Sequence, residues 1–315
     1  MKNFTAGKND AGQRLDKFLR KAAPNLPPAL LYKAIRKKDI KLNKKRASPG
    51  EKLCENDIIS VYLPDDILTG RTHPNLEKPS ELDIIYEDVN ILLINKPQGL
   101  LCHPGEGGDP DDDTLVLRLW RYLHQSGGWS GQDENSFTPA LCNRIDRNTC
   151  GIVIAAKNLK ALQIVSEKLR ERQITKLYLC IVHGIPAAES GTLHAYLSKD
   201  ETKGLVSLHK QPQPGGKTAV TKYKVIARLG GKALVEAELI TGRTHQIRAQ
   251  LAGMGHPILG DAKYGNSREN KLYGNKQVLC AYKLAFSFTT PAGSLDYLGG
   301  KTFEITPPFS REFLP

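Results

Sequence analysis

Lys232-Ala233-Leu234-Val235-Glu236-Ala237-Glu238-Leu239-Ile240 runs directly into Thr241-Gly242-Arg243-Thr244-His245-Gln246-Ile247-Arg248, and the change of hydrophobic period between the two sets a strand against a helix. The first run alternates, as a strand with one buried face does. From His245 to Met254 the sequence fits a helix with Ile247, Leu251 and Met254 on its inward face. Arg248, one residue past Ile247, lies near the edge of that face, within reach of a buried acid. Arg243, ahead of the helix, is freer to meet a phosphate.

Outward from this junction, short apolar runs at 82–86, 91–94, 152–156, 177–182, 219–229 and 278–286 read as further strands punctuated by Gly and Pro. Helical patterns are fewer, and Thr114 to His124 and Leu159 to Arg170 are the clearest. The balance predicts an α+β domain: a mixed, mostly antiparallel sheet with a minority of packed helices, without regular βαβ alternation. The sequence has no Gly-x-Gly-x-x-Gly or Walker-type loop. Gly105 to Gly108 leads into Asp109 to Asp113, whose acids would repel a nucleotide phosphate and suit a surface loop.

Asn143-Arg144-Ile145-Asp146-Arg147-Asn148-Thr149-Cys150-Gly151 stands just ahead of the apolar run Ile152 to Ala156. It holds one carboxylate between two guanidinium groups. Arginine stays charged at any working pH, and a nearby positive charge favours the ionised carboxylate, the form that acts as nucleophile or base. Asp146 is therefore the leading catalytic candidate. On this segment alone, an Asp that caps a turn or pairs with a surface arginine is the competing reading. A third piece, Lys176-Leu177-Tyr178-Leu179-Cys180-Ile181-Val182, is β-rich and places Tyr178 on a strand.

Together these segments resemble the RluA-type family of RNA pseudouridine synthases, with its H-R-L-D-x-x-T-S-G stretch, its K-x-Y and its T-G-R-x-H-Q-I-R. Arg144, Asp146, Thr149 and Gly151 match, whereas Asn143, Ile145 and Cys150 stand where the family usually has His, Leu and Ser. Gln250 stands where a family His often follows the last motif. Asn95-Lys96-Pro97-Gln98-Gly99 with His103-Pro104, and Gly255-His256-Pro257-Ile258-Leu259-Gly260-Asp261 with Tyr264-Gly265, extend the likeness from about residue 82 to about residue 284. The resemblance implies isomerisation of uridine to pseudouridine in structured RNA, with no cofactor and no metal. It makes Asp146 the catalytic carboxylate acting on a flipped-out uridine, as nucleophile at C1′ or as the base that removes a ribose proton. Arg248 would pair with Asp146, Tyr178 would stack on the uracil and assist loss of its C5 proton, and Arg144 would enter the space left by the flipped nucleotide. Arg243 is an RNA contact on this reading. Lys96, His103, His256 and Asp261 read as structural or peripheral.

Nearer the N-terminus, Leu15, Phe18, Leu19 and Ala22 fall at helical spacing, and Pro27-Pro28 restarts the chain into a second helix, Ala29 to Lys38. Ile40 to Asn43 and Ile58 to Tyr62 read as short strands. Lys33, Arg36 and Lys37 on the second helix, with Lys44, Lys45 and Arg46 in the hairpin, make a basic surface suited to a phosphate backbone. This arrangement resembles the S4-type RNA-binding domain. Residues 1–64 are expected to form that small α/β domain, 65–80 a linker without hydrophobic period, and 81–315 the catalytic domain. Thr69-Gly70-Arg71-Thr72-His73 repeats Thr241 to His245 but lacks the flanking strand and helix, so it reads as coincidence.

Forty-five basic against 33 acidic residues leave a net charge of +12, which points to a polyanionic partner. The six cysteines form no C-x-x-C pair and read as reduced thiols, and the eight histidines lack metal-ligand spacing. No apolar run approaches the roughly 18 residues that span a bilayer. The expected protein is a cytoplasmic monomer whose partner is RNA, most closely large-subunit ribosomal RNA, with transfer RNA as the alternative substrate. Two other classes compete: a non-catalytic RNA-binding or ribosome-assembly protein, which explains the charge but not the motifs, and a glycosidase of small nucleosides, which leaves the basic module idle.

Overall fold

Residues 1–68, 75–105, 107–109, 111–130, 136–200, 204–265, 270 and 276–309 are described by the structure, a computed structural model. The first part holds β1 (Lys2–Thr5), α1 (Leu15–Ala22), α2 (Pro28–Lys37), β2 (Ile40–Leu42), β3 (Lys45–Arg46), β4 (Ile58–Val61) and α3 (Asp65–Leu68). Helix α1 buries Leu15, Phe18 and Leu19 and carries Asp16 in its first turn and Arg20 and Lys21 in its last, in keeping with the helix dipole. Pro28 opens α2, where its missing N–H costs nothing, and Lys38 ends it in the left-handed region. The antiparallel sheet, in order β1-β4-β2-β3, closes over these helices, with Phe4 edge-on to Phe18 at 6.1 Å. Leu68, at the end of α3, is buried against this first core, and a single helical turn is too short to show a period in sequence. The repeat at 69–73 lies outside the described residues.

The second part holds β5 (Ile84–Glu87), β6 (Ile91–Lys96), α4 (Leu115–Gln125), β7 (Ala140–Leu141), β8 (Cys150–Ala156), α5 (Leu159–Arg170), β9 (Ile174–His183), β10 (Ser190–Asp200), β11 (Leu205–His209), β12 (Lys217–Leu229), β13 (Lys232–Leu239), α6 (Gln246–Gly253), β14 (Leu279–Phe286) and β15 (Thr302–Glu304). One long sheet runs β11-β10-β12-β13-β9-β14-β8-β6-β5, with β15 on β14 and β7 on β8. Its pairs are antiparallel except β14 with β8, so the α+β, mostly antiparallel expectation holds. Both faces of β8 are covered. Val153 and Ala155 point to the core shared with α4 and α6, while Ile152, Ile154 and Ala156 point to the core under α5, which is why this strand reads as an unbroken apolar run. Side-chain caps start two helices: Thr114 Oγ1 accepts the Leu117 N–H at 3.3 Å, and Asn158 Oδ1 accepts the Ala161 N–H at 2.8 Å. No helix among the described residues is long and apolar enough to cross a membrane.

The two parts touch through polar side chains: Gln13 Nε2 donates to Ser136 Oγ at 2.8 Å, and the Leu159 N–H donates to Asn9 Oδ1 at 3.2 Å. Where β8 crosses β14, Gly151 has φ +116°, and a Cβ there would stand 2.2 Å from the Ala281 carbonyl oxygen. Both the backbone angle and the space require glycine. Gly151→Ala is expected to cost about 3 kcal/mol or more of stability, measured as a lowered urea midpoint; an unchanged midpoint would show that the two strands separate freely.

Candidate active site

A cleft of about 690 Å³ opens where four segments meet: Leu101–Gly105, Cys142–Arg147, Lys176 with Tyr178 on β9, and Gly242–Arg248 at the start of α6. Asp146 sits in a turn closed by the Thr149 N–H donating to the Asp146 carbonyl at 3.1 Å. That turn is fastened to the 96–99 segment. The Gly99 N–H donates to the Arg147 carbonyl at 2.8 Å, and Arg147 Nε donates back to the Gly99 carbonyl at 2.9 Å. The fully buried Lys96 ammonium donates to the carbonyls of Pro97, Leu100 and Arg147 at 2.9, 2.7 and 3.0 Å. All three of its donors are thereby used, one of them on the residue next to Asp146.

On the opposite wall, Gln246 builds the turn that launches α6. Its Oε1 accepts the Arg243 N–H at 3.1 Å and the Thr241 hydroxyl at 2.8 Å, while its Nε2 donates to the Val220 carbonyl at 2.9 Å. His245 turns the chain with φ +53°, and the helix then carries Arg248 inward. Arg248 Nη1 donates to Asp146 Oδ2 at 2.8 Å, and its Nε and Nη2 grip Asp261 at 2.7 and 2.9 Å. One guanidinium thus bridges two carboxylates. The Asp261 side chain is fully buried and the Asp146 side chain is 24 % exposed, so the first is an anchor and the second faces the cleft. Burial pushes the Asp261 carboxyl up, but the Arg248 hydrogen bonds and charge outweigh it and hold it below its ordinary value.

His245 is the second side chain at the Asp146 carboxylate, its Nε2 standing 3.9 Å from Oδ2. Its Nδ1 lies 3.0 Å from the Tyr264 hydroxyl, which accepts the Val206 N–H at 2.9 Å. Where the Tyr264 hydroxyl donates to Nδ1, Nε2 carries the proton of the neutral ring and faces Asp146. Burial lowers the imidazole pKa more than Asp146 raises it. The Tyr264 ring also lies 5.2 Å from the Arg248 guanidinium. Tyr178 is buried in the cleft wall, and its hydroxyl has no partner among the described residues. Burial, and then the Asp146 charge, raise its phenol pKa, so it is a neutral ring and donor and not a phenolate.

The RNA pseudouridylate synthase profile matches residues 90–253, and the S4 domain profile matches residues 13–59. The chain belongs to the RNA pseudouridylate synthase family. It is 34% identical over 268 residues to a protein of Vibrio cholerae named ribosomal large subunit pseudouridine synthase C, covering 82% of this chain and 78% of that one. A protein of the same name from Haemophilus ducreyi is 35% identical over 267 residues, 84% of this chain and 79% of that one. The solved structure of human RNA pseudouridylate synthase domain containing 1 shares the fold, with a TM-score of 0.53 at 21% identity over 76% of this chain and 94% of that one.

In this pseudouridine synthase the cleft collects Asp146, Tyr178, Arg248, Arg144 and Arg243. The arginines flanking Asp146 do not pair with it: Arg147 is turned to Gly99, and Arg144 is exposed and unbonded among the described residues. Arg243 is exposed, with Nε on the Thr218 carbonyl at 3.1 Å. Lys33, Arg36, Lys37, Lys44, Lys45 and Arg46 are all exposed on the S4 part. Arg36 and Arg46 share a concavity of about 370 Å³ with Tyr32.

Two of the family departures are held by local hydrogen bonds. Asn143 Oδ1 accepts the Ile154 N–H at 2.8 Å, and Gln250 Nε2 donates to the Leu193 and Ala219 carbonyls at 3.0 and 3.1 Å. Sequence reasoning passed over two residues that shape the synthase's site, His245 in the cleft and Asp261 behind it. His245 was visible only as a motif letter. Asp261, read as peripheral, is the second anchor of Arg248, and nothing in the spacing of 248 and 261 signals a pairing made across a loop.

Proposed function

We propose that the enzyme isomerises specific uridines of large-subunit ribosomal RNA, acting as a single chain, with Asp146 as the catalytic carboxylate on a flipped-out uridine. The observation that carries this reading is the Asp146 carboxylate at the cleft, held by Arg248 from behind and open to solvent in front. A base still in its stack has no route to a carboxylate set in a cleft, whereas a flipped-out one does. Tyr178 offers the ring on which uracil stacks, which keeps the detached base in place while it turns. Arg144, free and exposed at the mouth, fills the vacated position in the RNA, and Arg243 contacts phosphate. The rRNA assignment rests on the names of the bacterial relatives and on the S4 module. We take residues 1–64 as that RNA-binding domain, 65–80 as the connection and 81–315 as the catalytic domain.

Tritium release from C5-tritiated large-subunit rRNA transcripts tests the reaction. Release by the wild-type chain is expected, and binding without release would leave an RNA-coating protein. Release from transfer RNA alone would reassign the substrate. Arg36→Glu combined with Arg46→Glu should raise KM at least about tenfold with kcat nearly unchanged, because phosphate contacts position RNA without touching the reacting atoms. A fall in kcat alone would place these residues elsewhere in the mechanism.

A further inference from the structure

Lys176 differs from the other cations of the cleft. It precedes Tyr178 by two residues on β9, so both side chains leave the same face of the strand. Their Cα atoms are roughly 7 Å apart along it. Arg248 is tied to two carboxylates, Arg243 to the Thr218 carbonyl and Lys96 to three carbonyls. Lys176 has no hydrogen bond or ion pair among the described residues, yet it is largely covered by the cleft wall. Burial lowers its pKa, and no carboxylate stands near enough to raise it again. A partly desolvated ammonium without a counter-charge is unfavourable, and an incoming anion removes that cost. Arg144 is also unpaired among the described residues, but like Lys199, another cation of the cleft, it is exposed to water and has no such cost to offset.

We propose that Lys176 binds an RNA backbone phosphate inside the cleft, beside the uridine whose base rests on Tyr178. The inference deepens the functional reading above and rests on it. The offset from Tyr178 along the strand puts the ammonium next to the sugar-phosphate chain and not over the ring. An ammonium, a compact charge with three rotatable donors, suits a phosphate met from one side. The contact would fix how far the nucleotide enters and so set the height of C1′ over Asp146.

The test compares wild type, Lys176→Met and Lys176→Arg as full chains, with Lys176→Gln in place of the Met variant should that fail to fold. Equilibrium binding to a large-subunit rRNA transcript and tritium release are both followed against salt. Loss of one phosphate contact flattens the slope of log K against log salt by about 0.7 to 0.9, so Lys176→Met is expected to show that change and Lys176→Arg the wild-type slope. A purely structural lysine would lower stability without moving the slope. Wild-type slopes in Lys176→Met overturn the phosphate contact even where tritium release persists. A flattened slope with no release by the wild type keeps the contact and removes the functional reading instead.

Discussion

Asp146→Asn is expected to abolish pseudouridine formation, by about 10⁴-fold or more, while leaving RNA affinity and fold nearly unchanged. The amide is close to isosteric with the carboxylate, so the cleft keeps its shape, and its carbonyl oxygen still accepts the Arg248 Nη1 donor that now lies at 2.8 Å. What disappears is the anion. Neither attack at C1′ nor removal of a ribose proton proceeds from a neutral amide. Single-turnover tritium release, with RNA binding measured on the same preparation, separates the two effects. Turnover within tenfold of wild type would take Asp146 out of the chemistry and shift attention to His245.

Arg248→Ala is expected to damage activity and stability together. The guanidinium is 7 % exposed and is the charged partner of Asp261, which is fully buried. Removing one member of a buried pair costs about 3 to 5 kcal/mol, because the remaining charge is left without compensation. The pH dependence gives a second signature. Arg248 holds the Asp261 pKa below its ordinary 3.8, so the wild-type contribution is present above about pH 4 and lost as acid protonates the folded carboxyl. In the Ala variant that stability is already missing at neutral pH, and the acid limb of the stability profile is correspondingly flatter. A melting temperature equal to wild type would mean that Asp261 finds another partner when Arg248 is gone.

Much of the fold was legible because its strands carry their burial in their sequence. The 152–156 run is apolar throughout because β8 is covered on both faces, and Leu159 to Arg170 is bounded by the Asn158 cap. Strands β10 and β11 escaped notice for a physical reason: only one face is covered, and Thr192, His194 and Ser198 interrupt any apolar run. At the site, the reach of Arg248 follows from its place beside Ile247 on α6. The electrostatics of Asp146 do not follow from its neighbours in sequence. Arg144 and Arg147 flank it in the chain and turn away in space, and the charge that meets it comes from 102 residues further on. The Asp261 anchor and the Tyr264 to His245 contact close through tertiary packing, which no local period encodes.

Pseudouridine mapping across large-subunit rRNA, in cells with the gene, without it, and without it but supplied with Asp146→Asn, tests the central claim most directly. The account predicts that one or more positions revert to uridine on deletion, and that the wild-type gene restores them while the Asn variant does not. Identical pseudouridine patterns in all these cells, across both ribosomal and transfer RNA, would contradict it.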